Sequence, residues 1–123
     1  VAGMTRVTAA IEFRRALQYP PFGRLVSIRL DGPKAEEVEK NARTLAGRLR
    51  ALQQREAKFG THIELFGPAA APIERLRDRY RWQLLIRSRQ SSTLLEFARQ
   101  ARALSPTTRS VRLHIDVDPY SML

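Results

Sequence analysis

Residues 25–34 read Leu-Val-Ser-Ile-Arg-Leu-Asp-Gly-Pro-Lys, and this stretch decides the fold. Val26, Ile28 and Leu30 fall on one side and Ser27 and Arg29 on the other, the period of two expected of a strand with one buried face. Asp31 and Gly32 break the alternation. Pro33 suits the first turn of a helix, where its missing N–H costs no hydrogen bond. Beyond it Val38, Ala42, Leu45, Leu49 and Leu52 recur four and three residues apart, to about Ala57. They form one apolar stripe along a long helix, whose other face carries Glu36, Glu37, Lys40, Arg43, Arg48 and Arg50.

Working outward, a short strand spans His62 to Phe66, with Ile63 and Leu65 on one side. The segment Gly67-Pro68-Ala69-Ala70-Ala71-Pro72 reads as a loop, because two prolines remove donors and restrict the residues before them. Tyr80 to Ile86 alternates again as a third strand. Its parity sends Trp82 to the core with Leu84 and Ile86 and leaves Tyr80, nearer the loop, open to either role. Ser91-Ser92-Thr93 opens a second helix, with Thr93 and Glu96 spaced as a capping box. Leu94, Phe97, Ala101 and Leu104 form its stripe, and Pro106 follows its end. Val111, Leu113, Ile115 and Val117 alternate with Arg112, His114, Asp116 and Asp118 in a fourth strand.

The order strand, helix, strand, strand, helix, strand predicts an α+β domain of the split β-α-β-β-α-β, ferredoxin-like kind. Two helices are expected on one face of a four-stranded, mostly antiparallel sheet. The first and third strands are its central neighbours, and the fourth flanks the first. Residues 1–22 are expected to be an N-terminal arm or linker, and residues 23–123 a single domain.

At 123 residues, 43% of them hydrophobic, the chain suffices for one domain with a real core. It has no cysteine, which excludes disulfides, cysteine zinc sites and cysteine nucleophiles. No apolar run approaches about 18 residues, and no secretory signal is legible, so the expected location is cytoplasmic and no membrane partner is expected. The net charge is +10, and of the 22 basic residues only Lys34, Lys40 and Lys58 are lysine. Guanidinium suits bidentate phosphate contact, so an anionic partner is implied and nucleic acid leads. A GC-rich genome and a soluble surface would also enrich arginine.

No catalytic constellation is present. Neither a Gly-x-x-x-x-Gly-Lys-Ser/Thr loop nor a Gly-x-Gly-x-x-Gly turn occurs. His62 and His114 lie far apart in strand patterns, and Asp116 with Asp118 lacks a nearby third acidic ligand, so no metal site is expected. The densest basic segment, residues 74–83, holds Arg75, Arg77, Arg79 and Arg81 together with Tyr80 and Trp82. Residues two apart on an extended chain share a side, so these four arginines are candidates for a row along a phosphate backbone. The predicted topology adds Arg29, Arg81, Gln83, Arg112 and His114 on the sheet face opposite the helices. That face is basic and lacks aromatics, which predicts contact to phosphate and strong salt dependence. Packing against another domain is the alternative use.

Four motifs stand in order along the chain. Glu12 and Arg15 precede Tyr19-Pro20-Pro21-Phe22; then come Gly67-Pro68-Ala69-Ala70-Ala71-Pro72-Ile73, Arg79-Tyr80-Arg81-Trp82-Gln83-Leu84-Leu85 and Asp116-Val117-Asp118-Pro119-Tyr120-Ser121. Together they resemble the C-terminal domain of the PriA family, the bacterial replication-restart helicases also called primosomal protein N′. The resemblance implies a domain similar to the S10 type of ribosomal protein, cut from a 3′ to 5′ ATP-dependent DNA helicase. Such a parent recognises stalled forks and D-loops and starts primosome assembly near the nucleoid. The resemblance implies that the domain contributes to binding forked and single-stranded DNA, and charge, spacing and the predicted sheet face make Arg29, Arg75, Arg77, Arg79, Tyr80, Arg81 and Arg112 the candidates for it. Its other partners are the helicase core of the same chain, further primosome proteins and the tail of the single-stranded-DNA-binding protein, for which Arg87 and Arg89 are candidates by charge and proximity. ATP with magnesium, and zinc, belong to the parent; this chain is expected to need no cofactor and to be no enzyme by itself. Two other readings remain: a pure protein-interaction domain, and a free-standing S10-like RNA-binding protein.

Overall fold

The computed structural model describes residues 24–76, 79–106 and 109–117, with backbone alone for residues 71–76. The proposed arm and the motif at Tyr19 to Phe22 lie outside the described residues, as do Arg77 and Asp118. Strand β1 (Arg24–Gly32) is followed by helix α1 (Ala35–Arg55), a short helix α2 (Ala57–His62), β2 (Glu64–Leu76), β3 (Arg79–Ser88), α3 (Ser91–Leu104) and β4 (Arg112–Val117). The four strands form one sheet in the order β2-β3-β1-β4, every neighbouring pair antiparallel. This is the α+β arrangement expected from the alternating segments, with β1 and β3 central and β4 beside β1.

Parity builds the core. Val26, Ile28 and Leu30 of β1 and Trp82, Leu84 and Ile86 of β3 face the helices and are buried. The α1 stripe, Val38, Ala42, Leu45, Leu49 and Leu52, meets them, as do Leu94, Phe97 and Ala101 of α3. Trp82 is therefore a core side chain, and Arg43 covers its ring with the guanidinium carbon 5.5 Å from the centroid. Tyr80 is half-buried and packs against the same cluster. Glu36 and Glu37 occupy the first turn of α1 and Arg55 its last, each at the end of the helix dipole that favours its charge.

Three local expectations are corrected. The long helix ends at Arg55 rather than near Ala57, and α2 follows, anchored by buried Phe59. Phe59 meets the ring of Phe97 with centroids 5.1 Å apart and planes at 58°. Gly60 is required here, since a Cβ on it would stand 2.6 Å from the carbonyl oxygen of Gln53. Residues 67–72 are not a loop: β2 continues through them to Leu76, with a cis Gly67-Pro68 bond and two register shifts against β3. Proline is tolerated there because β2 is an edge strand, with no neighbour on its outer side to receive an N–H. Finally, the capping box does not form. Gln90 is the N-cap of α3, and the Thr93 hydroxyl donates to Gln90 Oε1 at 2.9 Å instead.

Candidate nucleic-acid interface

Strand pairing ends the idea of a continuous row of four arginines. Leu76 pairs with Arg79 and Arg75 with Tyr80, so the chain reverses between β2 and β3. Arg75 and Arg79 therefore stand on different strands of a hairpin. The side chain of Arg75 and the whole of Arg77 lie outside the described residues.

The other predicted group is assembled as expected in register and altered in character. On the sheet face away from the helices, Arg29 pairs across with Gln83 on one side and His114 on the other. Asp31 pairs with Arg81 and Arg112 in the same way. That face is not open at its centre, however. Leu85 is 0% exposed, and Ser27 and Gln83 are buried as well. Leu85 is apolar on this side and lies in register with Phe66, over whose ring the Arg87 guanidinium sits at 5.6 Å. Arg29, Arg81 and Arg112 gather at one end of the face, around Asp31, and Arg87 lies toward the other.

Asp31 is the residue that the sequence alone does not single out, because beside Gly32 it reads as the end of a strand. It lies inside β1 and organises its neighbours. Arg79 Nε donates to Asp31 Oδ1 at 2.6 Å, and the same guanidinium reaches the backbone carbonyls of Asp31 and Ser110 at 3.2 and 3.4 Å. His114 Nε2 lies 2.8 Å from Asp31 Oδ2. Burial works to raise the Asp31 pKa, but hydrogen bonds and charge from Arg79 and then His114 outweigh it and hold the carboxyl below its ordinary 3.8. Ionised at neutral pH, Asp31 accepts, so Nε2 of His114 carries the donated hydrogen. The signal was available: Asp31 keeps the parity of Ser27 and Arg29, and Arg79 and His114 share that face.

Arg79 is thus committed to holding β1, β3 and the turn at Ser110 together. Arg29, Arg81 and Arg112 differ from it, since among the described residues none has a carboxylate partner. Arg112 is exposed, and Arg29 and Arg81 are half-exposed. Three guanidinium groups without counter-charge among the described residues, around one already occupied carboxylate, make a cationic surface suited to phosphate oxygens. At the opposite end of β3, Arg87 donates to Glu64 Oε1 from Nε at 3.0 Å and from a terminal nitrogen at 2.6 Å. Arg89, by contrast, is exposed in the turn before α3. No group of three or more potential metal ligands occurs among the described residues, and none of their helices is long and apolar enough to cross a membrane.

Fold and surface together define a small α+β sheet domain with a cationic end. The family model described as the primosomal protein N C-terminal domain matches residues 15–120, and the chain belongs to that family. It is 36% identical over 109 residues to the replication restart protein PriA of Synechocystis sp., covering 89% of this chain and 12% of that protein. The corresponding protein of Bacillus subtilis is 29% identical, over 89% of this chain and 13% of its own length. The probable replication restart protein PriA of Deinococcus radiodurans is 31% identical, over 88% and 11%. The chain therefore spans about an eighth of the length of these relatives. Among solved structures, the de novo designed protein Foldit4 superposes with a TM-score of 0.52 at 14% identity, covering 77% of this chain and 94% of that one, which is a likeness of fold alone.

Proposed function

We propose that this chain is the DNA-binding and scaffolding part of a replication-restart protein, holding forked or single-stranded DNA by its phosphates at Arg29, Arg81 and Arg112. The observation that carries this reading is the convergence at one end of the sheet of those three arginines, none with a carboxylate partner among the described residues, beside an Asp31 already engaged by Arg79 and His114. Phe66 is the aromatic on the described face and is half-buried with Arg87 over its ring, while Trp82 lies in the core on the other side. Binding is therefore phosphate-led and tolerant of sequence. In this reading the ATP-driven unwinding, and the magnesium and zinc that go with it, belong to the remainder of a longer parent. An acidic protein tail, as from the single-stranded-DNA-binding protein, would meet Arg89 first, because Arg87 is already held by Glu64.

Titration of fluorescent single-stranded and forked oligonucleotides at several salt concentrations tests the assignment. Arg81→Ala and Arg112→Ala are each expected to weaken binding similarly for all sequences and to reduce the salt slope by about 1. Unchanged affinity at low salt in the variant lacking Arg29, Arg81 and Arg112 would remove this surface from DNA binding. A saturable heat with an acidic tail peptide, but none with DNA, would favour the interaction-domain reading.

A further inference from the structure

We propose that Arg79 is a positioning residue for phosphate binding: by claiming Asp31 it keeps Arg81 and Arg112, which stand directly opposite that carboxylate, free to meet DNA. The inference rests on the reading of this surface as a DNA-binding one, and it concerns a side chain that does not itself touch the phosphate. Asp31 has Arg81 as its cross-strand partner on β3 and Arg112 on β4. Side chains directly opposite on an antiparallel pair have Cβ atoms about 4.5–5.5 Å apart, so both guanidinium groups are within reach of the carboxylate. An ionised carboxylate between two arginines ordinarily takes one of them. Neither Arg81 nor Arg112 has a carboxylate partner among the described residues.

The observed bonds run diagonally instead. Arg79 lies two residues before Arg81 on β3, and His114 two residues after Arg112 on β4. Arg79 Nε donates to Asp31 Oδ1 and His114 Nε2 to Oδ2, so both oxygens are engaged. A terminal nitrogen of Arg79 is fixed as well, on the backbone carbonyls of Asp31 and Ser110. The Arg79 side chain is 29% exposed and that of Asp31 13%, whereas Arg112 is exposed and Arg81 half-exposed. The inner cation thus neutralises the inner anion, and the outward cations keep their charge.

Without Arg79 the same carboxylate works against DNA in two ways. His114 engages one oxygen, and the other is left for Arg81 or Arg112, whose donors are then no longer offered to phosphate. The carboxylate also holds a negative charge among groups that must attract one. Removing Arg79 therefore weakens binding more than removing a remote surface cation, although Arg79 is bonded inward. Removing Asp31 from the same chain cancels both effects. A purely structural role for the pair predicts otherwise, since every change at either residue would then weaken binding.

Titration of a fluorescent single-stranded oligonucleotide with the 123-residue chain at several salt concentrations tests the proposal, and circular dichroism verifies that each variant is folded. Arg79→Met, which keeps the apolar stem, is expected to weaken binding roughly tenfold and to lower the salt slope by about 2, through the captured arginine and the uncovered negative charge. Arg102→Met makes the same change of net charge on the exposed side of α3, and its affinity is expected to stay within about twofold of native. Asp31→Asn alone is expected to bind about threefold more tightly than the native chain, despite its lower stability. The combined Asp31→Asn, Arg79→Met protein loses one charge of each sign and keeps the net +10. Its affinity is expected to return to within about threefold of native. Should Arg79→Met fail to fold, Asp31→Asn carries the test by itself, because a structural role predicts weaker binding there. Three results would each overturn the proposal: Arg79→Met binding no more weakly than Arg102→Met, weaker binding by Asp31→Asn, or a slope lowered by about 1 with no recovery in the double variant, which would make Arg79 itself the phosphate ligand. Failure of the DNA-binding reading looks different, since Arg81→Ala and Arg112→Ala would then bind as the native chain does, and the proposal would fall with it.

Discussion

Replacing Asp31 by Asn is expected to lower stability by about 2–3 kcal/mol at neutral pH, because Arg79 and His114 would lose the carboxylate they share. Breaking one side of a fully buried pair costs about 3–5 kcal/mol. The side chains here are 13% exposed for Asp31, 29% for Arg79 and 39% for His114, which places the expected loss below that range. Urea unfolding monitored by circular dichroism measures it. The pH dependence has a definite sign. Asp31 titrates lower in the folded chain than its ordinary 3.8, so its contribution is fully present above the unfolded value and is lost as pH falls through the folded one. The gap between native and variant chains is therefore expected to narrow below about pH 4. Equal stability of the two at pH 7 would show that Asp31 organises nothing.

Phe97→Ala should cost more, about 3–5 kcal/mol, the usual range for removing a buried aromatic ring. Phe97 is 0% exposed and is the point where α3 meets both the sheet and α2, through its contact with Phe59. With the ring gone, Phe59 loses its partner and α2 its anchor. A domain of ordinary stability, about 5–15 kcal/mol, would be left marginal. Calorimetry or denaturant unfolding reads the loss directly, with Leu104→Ala as a comparison, since Leu104 is only half-buried against the same core. A loss under about 1 kcal/mol, small even for the ordinary point substitution, would mean the core repacks around the space and that this junction holds little.

The elements legible in the sequence were those whose side chains are sorted by a single buried face. Val26 to Leu30, the α1 stripe and Tyr80 to Ile86 each meet one core, so their periodicity survives in the chain and led to the strand order and to the burial of Trp82. Legibility failed where other forces rule. Strand β2 runs through two prolines because an edge strand has no outer neighbour to supply, and α2 is held by Phe59 rather than by any stripe of its own. The candidate surface was half legible. Register brought Arg29, Arg81, Arg112 and His114 together as parity implied, whereas the hairpin at Leu76 and Arg79 divided the arginine row. Asp31 went unread as an organising residue because a carboxylate beside a glycine resembles a turn, and only the pairing of three strands reveals what surrounds it.

The same pairing pattern orders the sheet in time. β2 and β3 meet across a reversal that begins with Leu76 opposite Arg79, whereas β1 joins β3 only between residues 48 (Gly32 to Tyr80) to 64 (Arg24 to Ser88) positions apart. Closing a short hairpin takes on the order of 1–10 μs, but the central pairing must first overcome the loop entropy of a chain segment many times longer. The strand pair at the centre of the finished sheet is thus not the pair that begins it. Folding is expected to start at the edge and condense inward, with higher φ-values in the β2–β3 hairpin than in β4. A kinetic series showing β4 structured before that hairpin would reverse this order.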